Sequence, residues 1–379
     1  GTNGKGSTAA MLDSCLRCAG YRVGLFTSPY INRFNERIQV DGVPIPDGDL
    51  VRLVEQVRPA ASAMTDVPTE FELITALGML YFAQERCDIV VLEVGLGGAL
   101  DSTNVIDPPA CAVITALGMD HVQELGPTLA DIAAAKAGII KPGSPVVSYG
   151  GAPEADRVIA DAAAACGAPL TVADFARLTL RGAGLEGQTF DYDSLTGLTL
   201  PLLARYQPRN AVVAIEALRA LRARGWQIPD SAIRQGLAQV RWPGRFELLR
   251  RDPPFLLDGS HNAHGMRATA DSLQALFPGE KFVFLVSIMA DKDADEMLRL
   301  LLPLAKGFVT VTAPSPRAIP ASELAARIEA LDGRAEPAGG IPAAVARVWE
   351  LAAGGPAAAL GTLYFSGEVR EAVADLAKN

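Results

Sequence analysis

The chain opens with a glycine-rich segment, residues 1–7 (GTNGKGS), and residues that favour a helix follow at once. Glycines allow a tight turn whose N–H groups come close to a phosphate. A helix N-terminus directs its positive end to the same place, and Lys5 adds a charge for the outer phosphates. In the usual phosphate-loop pattern a serine or threonine follows the lysine directly, but here Gly6 intervenes before Ser7. Two interpretations remain open, a phosphate-binding loop and a flexible N-terminus. Because such a loop normally follows a buried strand, we expect the first strand of the fold to lie upstream of Gly1.

Length and composition narrow the class of protein. A chain of 379 residues with 49% hydrophobic residues suggests two or three domains with large cores. Its apolar runs are too short to span a membrane, and we expect no signal peptide. A net charge of −9 without a basic run argues against nucleic acid as a partner. Five scattered cysteines predict reduced thiols and a cytoplasmic protein. Cys15 and Cys18 fall inside the first helix, where we interpret them as core packing.

Alternating apolar runs and amphipathic stretches predict an α/β fold with a doubly wound, mostly parallel sheet. The apolar run 88–94 is typical of a central parallel strand, and the pattern over 175–200 suggests an antiparallel hairpin or meander. A Trp-Pro-Gly-Arg segment at 242–245 marks a domain boundary. We therefore predict a phosphate-loop-type domain over 1–245 and a smaller, Rossmann-like α/β domain over 246–379. The predicted elements of the second domain are strands at 255–258, 281–287, 307–312 and 358–365, and helices at 263–277, 293–304, 321–331, 341–353 and 367–377.

Polar residues that follow predicted strands mark a candidate ligand site. In open α/β sheets ligands bind beyond the carboxyl ends of the strands. Ser28, Glu93 and His121 occupy such positions, as does the glycine-rich segment. Hydroxyl, carboxylate and imidazole ligands around a phosphate-bound Mg²⁺ form a reasonable set. The alternatives are a capping or salt-bridged carboxylate for Glu93, a core histidine for His121 and a turn serine for Ser28.

A second polar cluster, Asp258-Gly-Ser-His261-Asn262, ends the first predicted strand of the second domain. Asp291-Lys292-Asp293 ends the next strand in the equivalent place. Two polar strand ends side by side favour a binding site. The alternatives are an Asx-turn before a helix for the first cluster and a solvated helix start for the second.

An ordered set of motifs gives the chain a specific resemblance. It resembles the folylpolyglutamate synthase and dihydrofolate synthase family, within the wider Mur ligase superfamily. In that family the chain normally begins some tens of residues earlier, with a helix and the first sheet strand. The motifs, in chain order, lie at 1–7, Thr27-Ser-Pro29, Phe34–Ile38, Leu92–Gly98, Asp101–Asn104, Lys136–Ile139, Arg241–Arg245, Asp258–Asn262, Ser315–Ala318 and Gly367–Arg370.

The resemblance implies a role for particular residues. Magnesium, as two ions, would be held by Ser28, Glu93, His121 and Lys136 if that lysine is carbamylated. Catalysis would rest on Lys5, Lys136 and His261. ATP would be bound, across a domain cleft, by Thr2, Asn3, Gly4, Lys5, Gly6, Ser7, Asn210, Arg245 and Asp258. The pterin would be bound by Thr69, Glu70, Phe71, Glu72, Leu100, Asp101 and Ser102.

Lys136 can be a magnesium ligand only if the sign of its charge changes. A cationic lysine would be repelled by magnesium, whereas reaction with carbon dioxide turns it into an anionic oxygen ligand. From the residues alone, a solvated helix lysine is the alternative. The chain departs from the family pattern at three positions: Tyr30 and Tyr206 replace the usual histidines, and Ala135 replaces a glutamate.

The resemblance implies an ATP-dependent amide ligase. ATP would phosphorylate a substrate carboxylate, and the α-amine of L-glutamate would attack the acyl phosphate. The acceptor would be a folate glutamate tail, dihydropteroate, or both, and the enzyme would be a cytoplasmic monomer without a membrane or nucleic-acid partner. Two alternatives are another Mur-type amino-acid ligase and a homologue that binds nucleotide or folate without turnover.

Overall fold

The computed structural model describes residues 1–376 of the chain. The last residue of the predicted helix 367–377 and the end of the predicted domain 246–379 lie outside the described residues. The chain divides into two compact units. Unit 1 comprises Gly1–Arg181, Thr189–Pro201 and Gln207–Val240. Unit 2 comprises Gly182–Gln188, Leu202–Tyr206 and the chain from Arg241 onward.

The elements up to residue 240 alternate largely as the sequence predicts. The helices are α1 (Lys5–Cys18), α2 (Asp47–Ala63), α3 (Glu70–Gln84), α4 (Val122–Leu125), α5 (Leu129–Ala137), α6 (Pro153–Ala165), α7 (Gln207–Ala223) and α8 (Asp230–Gln239). The strands are β1 (Val23–Phe26), β2 (Ile38–Val40), β3 (Val43–Pro44), β4 (Ile89–Leu92), β5 (Ala112–Ile114), β6 (Val146–Ser148), β7 (Leu170–Val172), β8 (Leu178–Gly184), β9 (Gly187–Tyr192) and β10 (Leu195–Leu200).

The elements after residue 240 form a second strand–helix series. The strands are β11 (Glu247–Arg251), β12 (Pro254–Asp258), β13 (Phe282–Val286), β14 (Ala305–Thr310), β15 (Ala335–Pro337) and β16 (Ala357–Leu360). The helices are α9 (Ala263–Leu276), α10 (Ala294–Leu301), α11 (Ala321–Ala330), α12 (Ile341–Ala352) and α13 (Ser366–Leu376).

The strands of unit 1 confirm the α/β class but lie in more than one sheet. Strands β3-β2-β1-β4 form one sheet, in which β1 and β4 are parallel, and β5-β6-β7 form a separate parallel sheet. The prediction that the run 88–94 is a central strand is wrong, because β4 lies at an edge and all four of its residues are only half-buried. Apolar character alone does not distinguish these positions. Strands β8, β9 and β10 pair in the order of a meander, as predicted for 175–200.

Helix α1 carries the glycine-rich segment on a buried support. Met11, Cys15 and Leu16 of this helix are almost completely buried, and the helix packs against α7 and α8. The Cys15 thiol donates to the carbonyl oxygen of Ile233 at 3.6 Å, and burial raises its pKa. These contacts fit core packing, and all five cysteines are free.

Unit 2 is built on one six-stranded sheet in the order β11-β12-β16-β13-β14-β15. All neighbours are parallel except β11, which runs antiparallel to β12 at one edge. Apolar clusters cover both faces, which is why the strands read as continuous apolar runs.

The structure differs from the prediction for unit 2 in two missed strands and two element ends. Strands β11 and β15 were not predicted. Strand β16 ends at Leu360 rather than 365, since Gly361 adopts a φ of 108° that turns the chain. Helix α10 ends at Leu301, before a short 3₁₀ turn that contains Pro303. Within residues 1–376, no helix has the length and apolar character that a bilayer crossing requires.

Candidate functional site

The glycine-rich segment forms a fixed turn at the end of β5. Gly4 adopts the left-handed conformation with a φ of 83°, and α1 begins at the next residue. The N–H groups of Thr2 and Asn3 both donate to the carbonyl oxygen of Ala116, at 2.8 and 3.1 Å. The Thr2 hydroxyl donates to the carbonyl oxygen of Gly118 at 2.9 Å. The segment is therefore an ordered loop at a helix N-terminus, as the phosphate-binding interpretation requires.

A buried amide pair from α7 supports this loop. A Cβ atom on Gly4 would lie 2.6 Å from Oδ1 of Asn210. The Asn210 amide donates to Oε1 of Gln207 at 3.0 Å, and Gln207 donates to the Ser7 hydroxyl at 3.2 Å. The structure thus brings together the predicted ATP residues 2–7 and Asn210. It adds the bond from Gln207 to Ser7, which the sequence did not predict.

Two lysines share the site. The Lys5 ammonium donates to the carbonyl oxygen of Thr2 at 3.2 Å. Lys136 lies in the last turn of α5 and is only 6% exposed, and its Nζ donates to the carbonyl oxygen of Gly1 at 3.1 Å. Burial, followed by the charge of Lys5, lowers the pKa of Lys136 to about 8, while Asp120 opposes the shift. Lys136 is therefore not the solvated helix lysine of the alternative interpretation, and near neutral pH part of it carries a reactive neutral amine.

Glu93 is a buried carboxylate directly after β4. It is 5% exposed, and its Oε2 accepts from the backbone N–H of Ser28 at 3.2 Å. Glu93 and Ser28 therefore lie together, just beyond the ends of the neighbouring parallel strands β4 and β1.

His121 lies in a strained backbone position beside Asp120. Its φ is 50°, and it forms the N-terminal boundary of α4. Its Nε2 lies 3.9 Å from Oδ1 of Asp120, and its Nδ1 lies 3.9 Å from Oε2 of Glu124. Its backbone N–H donates to Oδ1 of Asp120 at 3.0 Å. Asp120 is buried and also acts on Lys136. The sequence analysis did not assign Asp120 to the site, although it follows a predicted strand as His121 does.

The donor set can be tested against a magnesium site. Among residues 1–376, no three His, Cys, Asp or Glu side chains lie close enough together to hold a metal ion. The metal ligands predicted from the resemblance include only two such side chains, Glu93 and His121. The other two predicted ligands are Ser28 and a carbamylated Lys136. A buried carboxylate is a suitable ligand for Mg²⁺. All four ligands remain a prediction.

Phe71, in the first segment predicted to bind a pterin, packs against the start of the loop that carries the second segment. Phe71 packs edge-to-face on Phe26 with ring centroids 6.0 Å apart, and a Cβ atom on Gly95 would lie 2.7 Å from the Phe71 ring. The loop after Gly95 reaches the end of α5, where Ala99 donates to the carbonyl oxygen of Ala135 at 2.9 Å. The loop that carries Leu100, Asp101 and Ser102 is thus held between Phe71 and the Lys136 helix.

Several polar groups in these two segments have local partners. Glu72 accepts from the N–H and hydroxyl of Thr69 at 2.7 and 2.8 Å, which confirms the predicted capping box of α3. Asp101 accepts from Leu96 and Thr103. Leu100 is fully exposed. Their assignment to the pterin remains a prediction.

In unit 2, Asp258 is the centre of a buried network. It is 1% exposed and accepts from the Ser260 hydroxyl at 2.7 Å, from the Thr269 hydroxyl and from the Phe246 N–H at 3.2 Å. Burial raises the pKa of Asp258, and these donors together with Arg245 oppose the shift. Asp258 is therefore more than the start of an Asx-turn.

Residues around Asp258 complete the cluster in unit 2. Arg245 donates to the carbonyl oxygen of Gly259 at 3.4 Å, and Nδ1 of His261 lies 2.9 Å from the same oxygen. Tyr206 lies near enough to both Asp258 and Arg245 for their charges to act on its hydroxyl, whose pKa burial raises. Asn262 caps α9 through the Gly265 N–H at 2.7 Å. The structure therefore unites the predicted Arg245, Asp258 and His261.

Two family models match the chain. The model described as the Mur ligase middle domain matches residues 1–218, and the model of the Mur ligase glutamate ligase domain matches residues 244–360. The chain is 40% identical, over 335 residues, to the dihydrofolate synthase/folylpolyglutamate synthase of Bacillus subtilis. That alignment spans 86% of this chain and 78% of the relative. Folylpolyglutamate synthase of Lacticaseibacillus casei is also 40% identical, with 84% and 77% covered.

Solved structures give the same relationship. The fold is similar to Mycobacterium tuberculosis folylpolyglutamate synthase complexed with ADP and AMPPCP, with a TM-score of 0.91 at 30% identity over 98% of this chain and 89% of that one. It is also similar to E. coli FolC in complex with DHPP and ADP, with a TM-score of 0.86 at 31% identity over 100% of this chain and 88% of that one.

Proposed function

The chain belongs to the folylpolyglutamate synthase and dihydrofolate synthase family of Mur ligases, and on that premise we propose that it ligates L-glutamate to a folate at the expense of ATP. Two relatives at 40% identity carry this proposal, and both match more than four-fifths of the chain. The acceptor is the glutamate tail of a reduced folate, dihydropteroate, or both, since the Bacillus relative is named for both activities. The protein acts as a cytoplasmic monomer.

Unit 1 supplies the phosphate chemistry. The ordered loop at residues 1–7 holds the phosphates of ATP, with Lys5 as the mobile charge that follows the transferred phosphoryl group. Phosphorylation of the acceptor carboxylate gives an acyl phosphate, which the α-amine of glutamate attacks. Phosphate then leaves from the tetrahedral intermediate. Phe71 and the exposed Leu100 provide apolar contacts for the pterin.

Magnesium would be held by Glu93 and Ser28, with His121 and a carbamylated Lys136 as further ligands. The ion supplies neutralisation of phosphoryl charge when bound. The neutral Lys136 amine adds to carbon dioxide, a C–N bond forms and one proton is released. The resulting carbamate is anionic, so its attraction to the ion replaces the repulsion of an ammonium. The lowered pKa of about 8 favours this modification, because it raises the neutral fraction.

In unit 2, Arg245 and Asp258 contact ATP and His261 takes part in turnover. The motivation is their shared cluster, in which Arg245 and His261 both contact Gly259. The buried Asp258 holds that turn through Ser260 and Thr269. The rival interpretation, a local Asx-turn, predicts that replacing His261 leaves turnover unchanged.

Measurement of ADP release tests the function. Purified protein with ATP and Mg²⁺ should release ADP only when L-glutamate and a reduced folate or dihydropteroate are both present, and mass spectrometry should show the acceptor heavier by one glutamyl residue. Release with a cell-wall peptide precursor instead of a folate would identify another Mur-type ligase. Nucleotide binding without any release would identify a homologue without turnover.

A further inference from the structure

A carboxylate outside the predicted site shapes the loop that carries Ser28. Glu36 is half-buried, and its two oxygens accept from three consecutive backbone N–H groups. Oε2 accepts from Ile31 at 2.8 Å, and Oε1 accepts from Asn32 at 3.2 Å and from Arg33 at 3.0 Å. Hydrogen bonds to an ionised acceptor are about twice as strong as neutral ones. One side chain thereby fixes the backbone of three residues that directly follow Ser28-Pro29-Tyr30.

The ends of this loop are fixed as well. The Thr27 N–H donates to the carbonyl oxygen of Arg37 at 3.0 Å, so residues 28–36 form a closed loop between β1 and β2. Asn35 is buried and donates to the carbonyl oxygen of Ile45 at 2.6 Å and to Asp47 at 2.8 Å. The base of the loop is therefore anchored to the sheet, and Glu36 sits between this base and Ser28.

Ser28 is the point at which the loop meets the site. Its N–H lies 3.2 Å from Oε2 of the buried Glu93. We propose that Glu36 is a positioning residue for the metal site, because it holds the loop in the form that keeps Ser28 beside Glu93. This inference rests on the proposed function in one respect, namely that Ser28 and Glu93 are metal ligands.

Glu36→Gln tests the inference, since the amide keeps the size of the side chain but replaces one acceptor oxygen with a donor. The readout is Mn²⁺ binding in the presence of AMPPCP, measured by electron paramagnetic resonance of free Mn²⁺. We expect about tenfold weaker Mn²⁺ binding, the size typical of residues that orient metal ligands. The Mg²⁺ concentration for half-maximal ADP release should rise by a similar factor, while kcat at saturating Mg²⁺ stays within about twofold.

Asp156→Asn is the matched control. Asp156 accepts from the N–H of Ala152, four residues earlier, at 3.0 Å, so it also braces a loop, but at the start of α6. Its replacement should leave Mn²⁺ binding unchanged. Glu36→Asp keeps the charge but shortens the reach by one methylene, and we expect an intermediate loss of Mn²⁺ affinity.

The outcomes separate this inference from the proposed function. Unchanged Mn²⁺ binding in Glu36→Gln, with only a lower melting temperature, would overturn the positioning role, as would a wild-type protein that binds no Mn²⁺ with AMPPCP. Weakened Mn²⁺ binding in Glu36→Gln, but not in Asp156→Asn, supports it. That support holds even if the wild type releases no ADP with folate and glutamate, a result that would contradict only the proposed function.

Discussion

Lys136 is the residue whose chemistry depends most on its surroundings. A lysine at the surface stays protonated at neutral pH, but burial and the neighbouring charge of Lys5 lower the pKa of Lys136 to about 8. Its Nζ donates to the carbonyl oxygen of Gly1, and the charge of Asp120 partly opposes the lowering of its pKa. These are the conditions under which an amine reacts with carbon dioxide, and they arise although Ala135 stands where the family usually has a glutamate.

Lys136→Ala should lower ADP release by about 100-fold, which corresponds to about 2.7 kcal/mol of transition-state stabilisation. Short carboxylic acids should restore part of the rate by supplying the lost oxygen ligand. Lys136→Arg should not be restored, because a guanidinium stays cationic and forms no carbamate. Lys141→Ala, which removes a lysine with no assigned role five positions further on, serves as the control. Native mass spectrometry of the protein in bicarbonate should show a mass increase of one carbon dioxide. If the increase is absent, Lys136 is not carbamylated.

Glu93→Gln should preserve the fold and reduce turnover by a similar factor of about 100. The neutral amide is a poor magnesium ligand, yet it still offers an oxygen to the Ser28 N–H. Steady-state rates across a range of Mg²⁺ concentrations check this, together with circular dichroism for the fold. If the Glu93→Gln variant has wild-type rates at ordinary Mg²⁺ concentrations, Glu93 has a purely structural role.

For single residues, the sequence predicts local features better than it predicts contacts between residues that are far apart in the chain. The apolar run before Glu93 predicted a strand that ends in a carboxylate, and Thr69-x-x-Glu72 predicted a capping box. The structure contains both features. The bond from Gln207 to Ser7 was not predictable, because it joins residues 200 positions apart. No local pattern specifies such a pair.

Helix α1 shows how an element serves the site at some cost in stability. Asp13 lies on its buried side and is 3% exposed, with a salt bridge to Arg17 at 2.9 Å. Burial raises the pKa of Asp13, and Arg17 only partly opposes the shift. One of its oxygens, Oδ1, has no hydrogen-bond partner. The charged form is therefore less favourable in the folded than in the unfolded chain.

Asp13→Asn should raise the free energy of unfolding at pH 7 by on the order of 1 kcal/mol. The sign follows from proton binding: a raised pKa means that the folded chain holds the proton more tightly. Stability therefore falls as the pH rises above the usual value of 3.8. The gain in the free energy of unfolding should disappear near pH 3, where the aspartate of the wild type is as neutral as the asparagine of the variant. Urea unfolding at both pH values measures it, and a less stable Asn variant at pH 7 would show that the bond to Arg17 outweighs burial.

Elements were predictable where periodicity was long and caps were explicit. Helix α5 begins after Thr128, whose capping box with Asp131 can be read directly from the sequence. The edge position of β4 was not predictable, because an apolar run reports hydrophobicity but not the number of neighbouring strands. Strands β11 and β15 lie at the two sheet edges, where weak apolar patterning is normal.

The two compact units are not two consecutive pieces of chain. The sequence suggested a boundary near residue 245, but unit 2 also contains Gly182–Gln188 and Leu202–Tyr206. Leu203 and Ala204 belong to the same buried cluster as Phe246 and Phe284. Gln188 donates to the carbonyl oxygens of Leu202 and Ala204 at 2.7 and 2.9 Å. Sequence patterns do not reveal such excursions, since each is only a few residues long.

Leu203→Ala should destabilise unit 2 by about 2–5 kcal/mol, the usual cost of removing a buried leucine side chain. Hydrogen exchange should become faster in β13 and β14, which share that core. Leu180→Ala is the control, because Leu180 is 46% exposed. Unchanged exchange in β13 and β14 would show that the segment around Leu203 contributes little to unit 2.

This discontinuity has a consequence for the protein during its synthesis. The residues of unit 1 have all left the ribosome soon after Val240, while Leu203 still lacks the strands that cover it. Leu360, the last residue of its cluster, follows on the order of ten seconds later at usual translation rates. During that interval an apolar segment extends from a domain that is otherwise free to fold. The nascent chain therefore presents a binding site for chaperones that the finished enzyme lacks.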